Sequence, residues 1–103
     1  MKVLLISPSH KNIVSPPYMK AIQEGLGFLP PLGLLCLASY LHKKTSHKAV
    51  VLDALLEGLD AEGIKTVVRR EKPDVVGITA ITLALIDVLE TARAVKSVNP
   101  GVI

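Results

Sequence analysis

Three short runs constrain this chain more than any other feature. They are KVLLIS (Lys2–Ser7), KAVVLDA (Lys48–Ala54) and PDVVGIT (Pro73–Thr79). Each is almost continuously apolar rather than alternating, and each is too short for an ordinary helix. Runs of this kind are strands covered on both faces, the habit of a parallel sheet. Parallel neighbours need a crossover between them. The segments separating the runs carry apolar residues at helical spacing, as crossover helices do.

The first crossover contains FLPPLGLLCLASYL (Phe28–Leu41), which has no charge. Pro31 suits a first helical position, where its missing N–H costs nothing. A helix is predicted from there to about Lys44. Leu34, Leu35, Leu37, Ala38 and Leu41 occupy most of its circumference, which predicts burial on several sides. The uncharged stretch from Gly25 to Leu41 spans 17 residues and includes Pro30 and Pro31. A spanning helix needs ~20 apolar residues, so this one is expected to be buried in protein and not in a membrane. Before it, the run from Pro8 to Leu29 is rich in proline and glycine, and loops longer than about 15 residues are usually functional or disordered.

A second helix is predicted over Asp60–Glu71, with Ile64, Val67 and Val68 inward and Asp60 as its N-cap. A third runs from Leu83 or Leu85 to Ser97, with Leu85, Leu89, Ala92 and Val95 inward. Asn99-Pro100-Gly101 is a turn, and Val102 and Ile103 begin a fourth strand. Strand and helix alternate throughout, so the fold class is α/β: a three-layer, flavodoxin-like (Rossmann-like) parallel sheet of order 2-1-3 with right-handed crossovers. Residues 1–103 form one domain. Doubly wound sheets usually have five or so strands, so the rest of the domain is expected beyond Ile103. On that view the third strand's outer edge lacks a neighbour, and the chain is expected to self-associate there.

Composition removes several function classes. The net charge is +3 and the pI about 9.2, but aromatics make up only 3%. The basic residues gather as His42-Lys43-Lys44 and as Lys65, Arg69, Arg70 and Lys72, at predicted helix ends, where they complement the helix dipole. No basic stripe interleaved with aromatics exists, so nucleic acid is not an expected partner. Met1–Ile6 is too short for a signal sequence before Pro8. Cys36 is alone, which gives no disulfide framework and fits a reducing, cytoplasmic setting. His10, His42 and His47 lie in separate segments without metal-ligand spacing.

Ligands of open parallel sheets bind beyond the carboxyl ends of the strands. The residues there are Ser7-Pro8-Ser9-His10, Asp53-Ala54 and Thr79-Ala80-Ile81-Thr82. SPSHKNI has no glycine, so neither a dinucleotide fingerprint nor a P-loop follows the first strand. The acidic residues of a phospho-receiver are also absent. Asp53 suits a cap of the next loop better than a ligand contact. For Thr79 and Thr82, two roles stand side by side: meeting a ligand, or capping the third helix.

KVLLISP, FLPPLGLLCLASYL, VVLDA and KPDVVGITAIT, in that order and spacing, resemble the N-terminal cobalamin-binding domain of cobalamin-dependent radical SAM enzymes. PPLGLLCLASYL is the most specific piece. The resemblance implies that the domain binds a corrinoid cofactor, cobalamin. It also implies a downstream radical SAM barrel, with a 4Fe-4S cluster on Cys-x3-Cys-x2-Cys and S-adenosylmethionine. The parent would then be a methyltransferase-like enzyme, and this chain would lack activity by itself. Carried over by position, Ser7, Pro8 and Ser9 lie in the loop beneath the corrin. Pro30, Pro31, Leu32 and Gly33 form the helix entry near it. Thr79, Ala80, Ile81 and Thr82 match the Ser-x-Leu region that meets the dimethylbenzimidazole tail. Leu83 stands where related domains often place a further hydroxyl, a role that passes to Thr82.

The chain also departs from cobalamin domains at large. Their Asp-x-His-x-x-Gly motif, whose His ligates cobalt, is missing: Pro8 and Ile13 flank His10 where Asp and Gly would stand. A ligating His needs its supporting acid, so no protein metal ligand is expected. Thr45-Ser46 replaces the glycine usual after the first helix. The rival reading is a cofactor-free α/β interaction or regulatory module.

Overall fold

The computed structural model describes residues 1–13, 16–18 and 29–103. Most of the irregular run before Leu29, with Gly25, Gly27 and Phe28, lies outside the described residues. Strand β1 (Lys2–Ser7) leads to helix α1 (Leu32–Lys44), β2 (Lys48–Asp53), α2 (Ala61–Glu71), β3 (Val75–Ile78), a short 3-10 turn (Thr82–Ala84) and α3 (Leu85–Val98). The sheet has the expected order β2-β1-β3. Both pairings are parallel, with Ser7 opposite Asp53 and Ile6 opposite Ile78.

Alternation along β1 builds two cores. Leu4 and Ile6 are fully buried on one face, with Leu52, Ile64, Val67, Val68, Ala94 and Val95 of β2, α2 and α3. Val3 and Leu5 face the other way, against Leu34, Ala38 and Ala49. The sheet therefore lies between α1 on one side and α2 with α3 on the other. Gly77 on β3 leaves room for this packing, since a Cβ there would come within 2.9 Å of Leu5 Cδ2.

The helix ends follow from local chemistry. Asp60 caps α2 as expected, its Oδ1 accepting from the Gly63 N–H at 2.9 Å. That bond holds the Asp60 carboxyl below its ordinary range. At the end of α1, Thr45 substitutes for a glycine cap: its hydroxyl donates to the Leu41 carbonyl at 2.6 Å and accepts from His47 N–H at 3.1 Å. His42, Lys43 and Lys44 sit in the last turn of α1, and Arg69 and Arg70 in that of α2, with Lys72 just after it. Lys2 and Arg70 both reach Glu71 and lower its pKa.

Four expectations need correction. Pro31 is the residue before α1, not its first helical residue. Only Leu34 and Ala38 of α1 are buried among the described residues, while Leu32, Leu35, Leu37, Tyr40 and Cys36 are exposed. One sheet face covers one stripe of a helix, and an apolar composition all round does not supply further cover. On α3, Leu85 and Leu89 are exposed; Val95 is buried as expected, together with Asp87, Thr91 and Ala94. Finally, the outer edge of β3 is not bare: Val76 N–H donates to Ile103 O at 2.8 Å, and Ile103 N–H to Asp74 O at 3.2 Å. Ile103 thus lies beside β3, where the fourth strand was expected to start.

Candidate functional site

The three strands end level with one another. Ser7 pairs with Asp53. Beyond β2, Ala54 N–H donates to Ser7 O at 2.9 Å, and beyond β3, Thr79 N–H donates to Ile6 O at 3.0 Å. The chain leaves β1 toward α1 on one face of the sheet and leaves β3 toward α3 on the other. The first turns of these two helices therefore flank the carboxyl ends of β1 and β3 from opposite sides. This is the crevice in which ligands of open parallel sheets bind.

The loop after β1 supplies Ser7, Pro8, Ser9 and His10. Pro8 is fully buried. An acid in its place would need a partner in the interior, and here a proline ring fills the space. The His10 carbonyl accepts the Ile13 N–H at 3.4 Å, so the residues between them form a turn. Among the described residues, no cluster of three or more His, Cys, Asp or Glu side chains could hold a metal ion. Asp53 caps its own loop, as expected, with Oδ1 accepting from Leu56 N–H at 3.1 Å.

The segment after β3 supplies Thr79, Ala80, Ile81 and Thr82, all exposed. Neither the 3-10 turn nor α3 has a side-chain cap: the residues before them are Ile81 and Ala84. The capping role weighed for the two threonines is therefore not what they do. Among the described residues neither hydroxyl makes a hydrogen bond, and both are exposed. Ile81 is 52% exposed and Leu83 40%, which leaves an apolar rim beside them.

The entry of α1 completes the surroundings. Leu29 and Leu32 are 70% and 68% exposed. Gly33 lies inside the helix, where glycine costs up to about 1 kcal/mol relative to alanine. Yet a Cβ added at Gly33 would meet nothing within 4 Å among the described residues. Packing among the described residues does not require the glycine, and open space beside bare backbone suits the close approach of a ligand.

Two residues of this region were not singled out from the sequence. Asp87, in the first turn of α3, is 2% exposed. It accepts the backbone N–H of Asn12 at 3.0 Å on Oδ2 and the Asn12 side-chain amide at 3.1 Å on Oδ1. The only sequence signal was an acid inside an otherwise apolar stretch, Leu85-Ile86-Asp87-Val88-Leu89.

A broad, largely apolar cofactor with hydrogen-bonding groups at its margin fits this set: exposed aliphatic side chains, two free hydroxyls and an open glycine at one end of the sheet. Comparison with known proteins identifies the family. The family model for the B12 binding domain matches residues 21–103. The chain is 37% identical, over 99% of its length, to an uncharacterized methyltransferase of Pyrococcus horikoshii, of which it covers 20%. It is 31% identical, over its full length, to the anaerobic magnesium-protoporphyrin IX monomethyl ester cyclase of Rubrivivax gelatinosus, of which it covers 17%. The chain thus spans a fifth or less of these relatives. No solved structure matches it.

Proposed function

The chain belongs to the B12-binding domain family, and we propose that it is the cobalamin-holding module of a cobalamin-dependent radical SAM enzyme. The observation that carries this reading is the crevice at the β1 and β3 ends, where among the described residues the Thr79 and Thr82 hydroxyls have no partner and a Cβ at Gly33 would have no neighbour. Cobalamin, when bound, supplies a cobalt centre suited to moving one-carbon groups and to related radical chemistry. The chain's own part is binding and orientation. Ser7 and Ser9 form the floor over the buried Pro8, and Pro31, Leu32 and Gly33 offer an apolar flank. Thr79 and Thr82 supply hydroxyls for polar atoms of the cofactor tail, with Ala80 and Ile81 between them. His10 is not a cobalt ligand in this reading, because a buried proline stands where its supporting acid would be.

The printed names of the relatives, a methyltransferase and a cyclase, support an enzyme as the parent protein. The 4Fe-4S cluster and S-adenosylmethionine belong to the radical SAM domain proposed to follow. The exposed leucines of α1 and α3 favour a second reading, a cofactor-free interaction module. They also lead us to expect self-association of the isolated chain, which sedimentation at micromolar concentration would test.

One experiment separates the two readings. The protein carrying the sequence that follows Ile103 is reconstituted with hydroxocobalamin and passed through gel filtration. Corrin absorbance that co-elutes with the protein in about one-to-one ratio is the expected result. Protein that is folded but colourless would establish the interaction module instead. The cluster is tested by the downstream sequence, where Cys-x3-Cys-x2-Cys is expected.

A further inference from the structure

Asp87 is a buried carboxyl that no basic side chain pairs with among the described residues. None of the ion pairs among the described residues includes it. Among the described residues two kinds of N–H group meet it. It sits in the first turn of α3, where the helix dipole favours an anion. It also receives the backbone and side-chain N–H groups of Asn12, at 3.0 and 3.1 Å. Thr91 anchors the same turn from below, its buried hydroxyl donating to the Asp87 carbonyl at 2.8 Å. Burying a carboxylate is costly unless it is well hydrogen-bonded. An aliphatic residue would serve a plain core better at this position, so the acid calls for a separate explanation.

Its partner supplies one. Asn12 belongs to the loop that leaves β1, and it lies 75 residues from Asp87 in sequence. The contact therefore ties the loop after β1 to the helix after β3, the two segments that border the crevice. We propose that Asp87 is a positioning residue. Its grip on Asn12 holds the loop of Ser7, Pro8, Ser9 and His10 at a fixed distance from α3 and so sets the width of the cofactor crevice. Asp87 itself touches no cofactor in this account. The statement about the crevice's occupant rests on the corrinoid reading above, while the clamp itself does not.

The side chains allow a specific rescue. In Asp87→Asn the charge is lost: the amide oxygen still accepts from the residue 12 N–H, and the Asn12 amide turns over to accept from the new NH2, so both bonds become neutral and weaker. Adding Asn12→Asp restores the pair with donor and acceptor exchanged: the amide now at position 87 can donate to the new carboxylate at position 12 and accept from the backbone N–H there. Two measurements are made on the wild type, on Asp87→Asn, on Asn12→Ala and on the double variant. The first is amide hydrogen exchange at residue 12 without cofactor, with Leu4 and Ile6 as core references. The second is corrinoid affinity in the protein with its downstream sequence. Asn12 is exposed, so Asn12→Ala preserves the fold even if Asp87→Asn does not.

Asp87→Asn is expected to speed exchange at residue 12 about fivefold, the difference between a hydrogen bond to a charged and to a neutral acceptor, with the core references unchanged. Corrinoid affinity should fall by a similar factor in both single variants and recover in the double variant. Exchange at residue 12 that is unchanged in Asp87→Asn would overturn the clamp. Faster exchange with unchanged affinity in both single variants would overturn its role in setting the crevice. A wild type that binds no corrinoid would overturn the functional reading instead, and the exchange data would still decide whether the clamp exists.

Discussion

Gly33→Ala should move stability and binding in opposite directions. The new methyl group meets nothing within 4 Å among the described residues, so none of them opposes it. Alanine is the better helix former, and near the first turn of α1 the gain is about 0.5–1 kcal/mol. The same methyl group enters the space proposed for the cofactor. Overpacking of a closely fitted contact typically costs about 1–3 kcal/mol, which is roughly 5- to 150-fold in affinity. Urea denaturation of the free protein gives the first quantity, and titration with hydroxocobalamin gives the second. A midpoint that rises while affinity falls is the expected pair of results. An affinity equal to that of the wild type would refute the placement of Gly33 against the cofactor. A loss of stability would refute the claim that the space beside it is open.

Thr79→Val should leave the free chain's stability within about 0.5 kcal/mol, since the hydroxyl is exposed, yet weaken corrinoid binding. Thr91→Val is the contrast: it removes the buried bond to the Asp87 carbonyl and should cost about 0.5–1.5 kcal/mol of stability, read by the same denaturation assay. His10→Ala should leave the nitrogen hyperfine pattern of bound cob(II)alamin unchanged in electron paramagnetic resonance, and a splitting that disappears would restore His10 as a ligand. Glu71 has its pKa lowered from 4.5, first by the hydrogen bond from Lys2 and then by that from Arg70. A depressed folded pKa means that this contribution to stability is fully present above the ordinary carboxylate range and is lost as pH falls through the lowered value. Glu71→Gln should therefore be less stable than the wild type at neutral pH, with the difference vanishing in acid unfolding curves. A difference that persists or grows at low pH would contradict the assignment.

The sequence by itself determined the sheet and its order. Three continuous apolar runs separated by helical spacing can satisfy their backbones and cover both faces in few other ways, and β2-β1-β3 followed. It also determined the local signals that depend on near neighbours, such as Asp60 capping Gly63 and the basic last turns of α1 and α2. The strand ends were legible for the same reason, so Ser7, Thr79 and Thr82 could be named as candidates from the sequence. Tertiary structure alone decided which stripe of each helix is covered. A leucine-rich helix such as α1 has no sequence mark to distinguish the buried Leu34 from the exposed Leu35, because apolar character is the same on both sides. On α3 the leucine face lost to one carrying Asp87 and Thr91, since an acid can be buried when a distant loop supplies its hydrogen bonds. That loop is 75 residues away along the chain. No periodicity reports such a contact, and only the folded sheet brings Asn12 and Asp87 together.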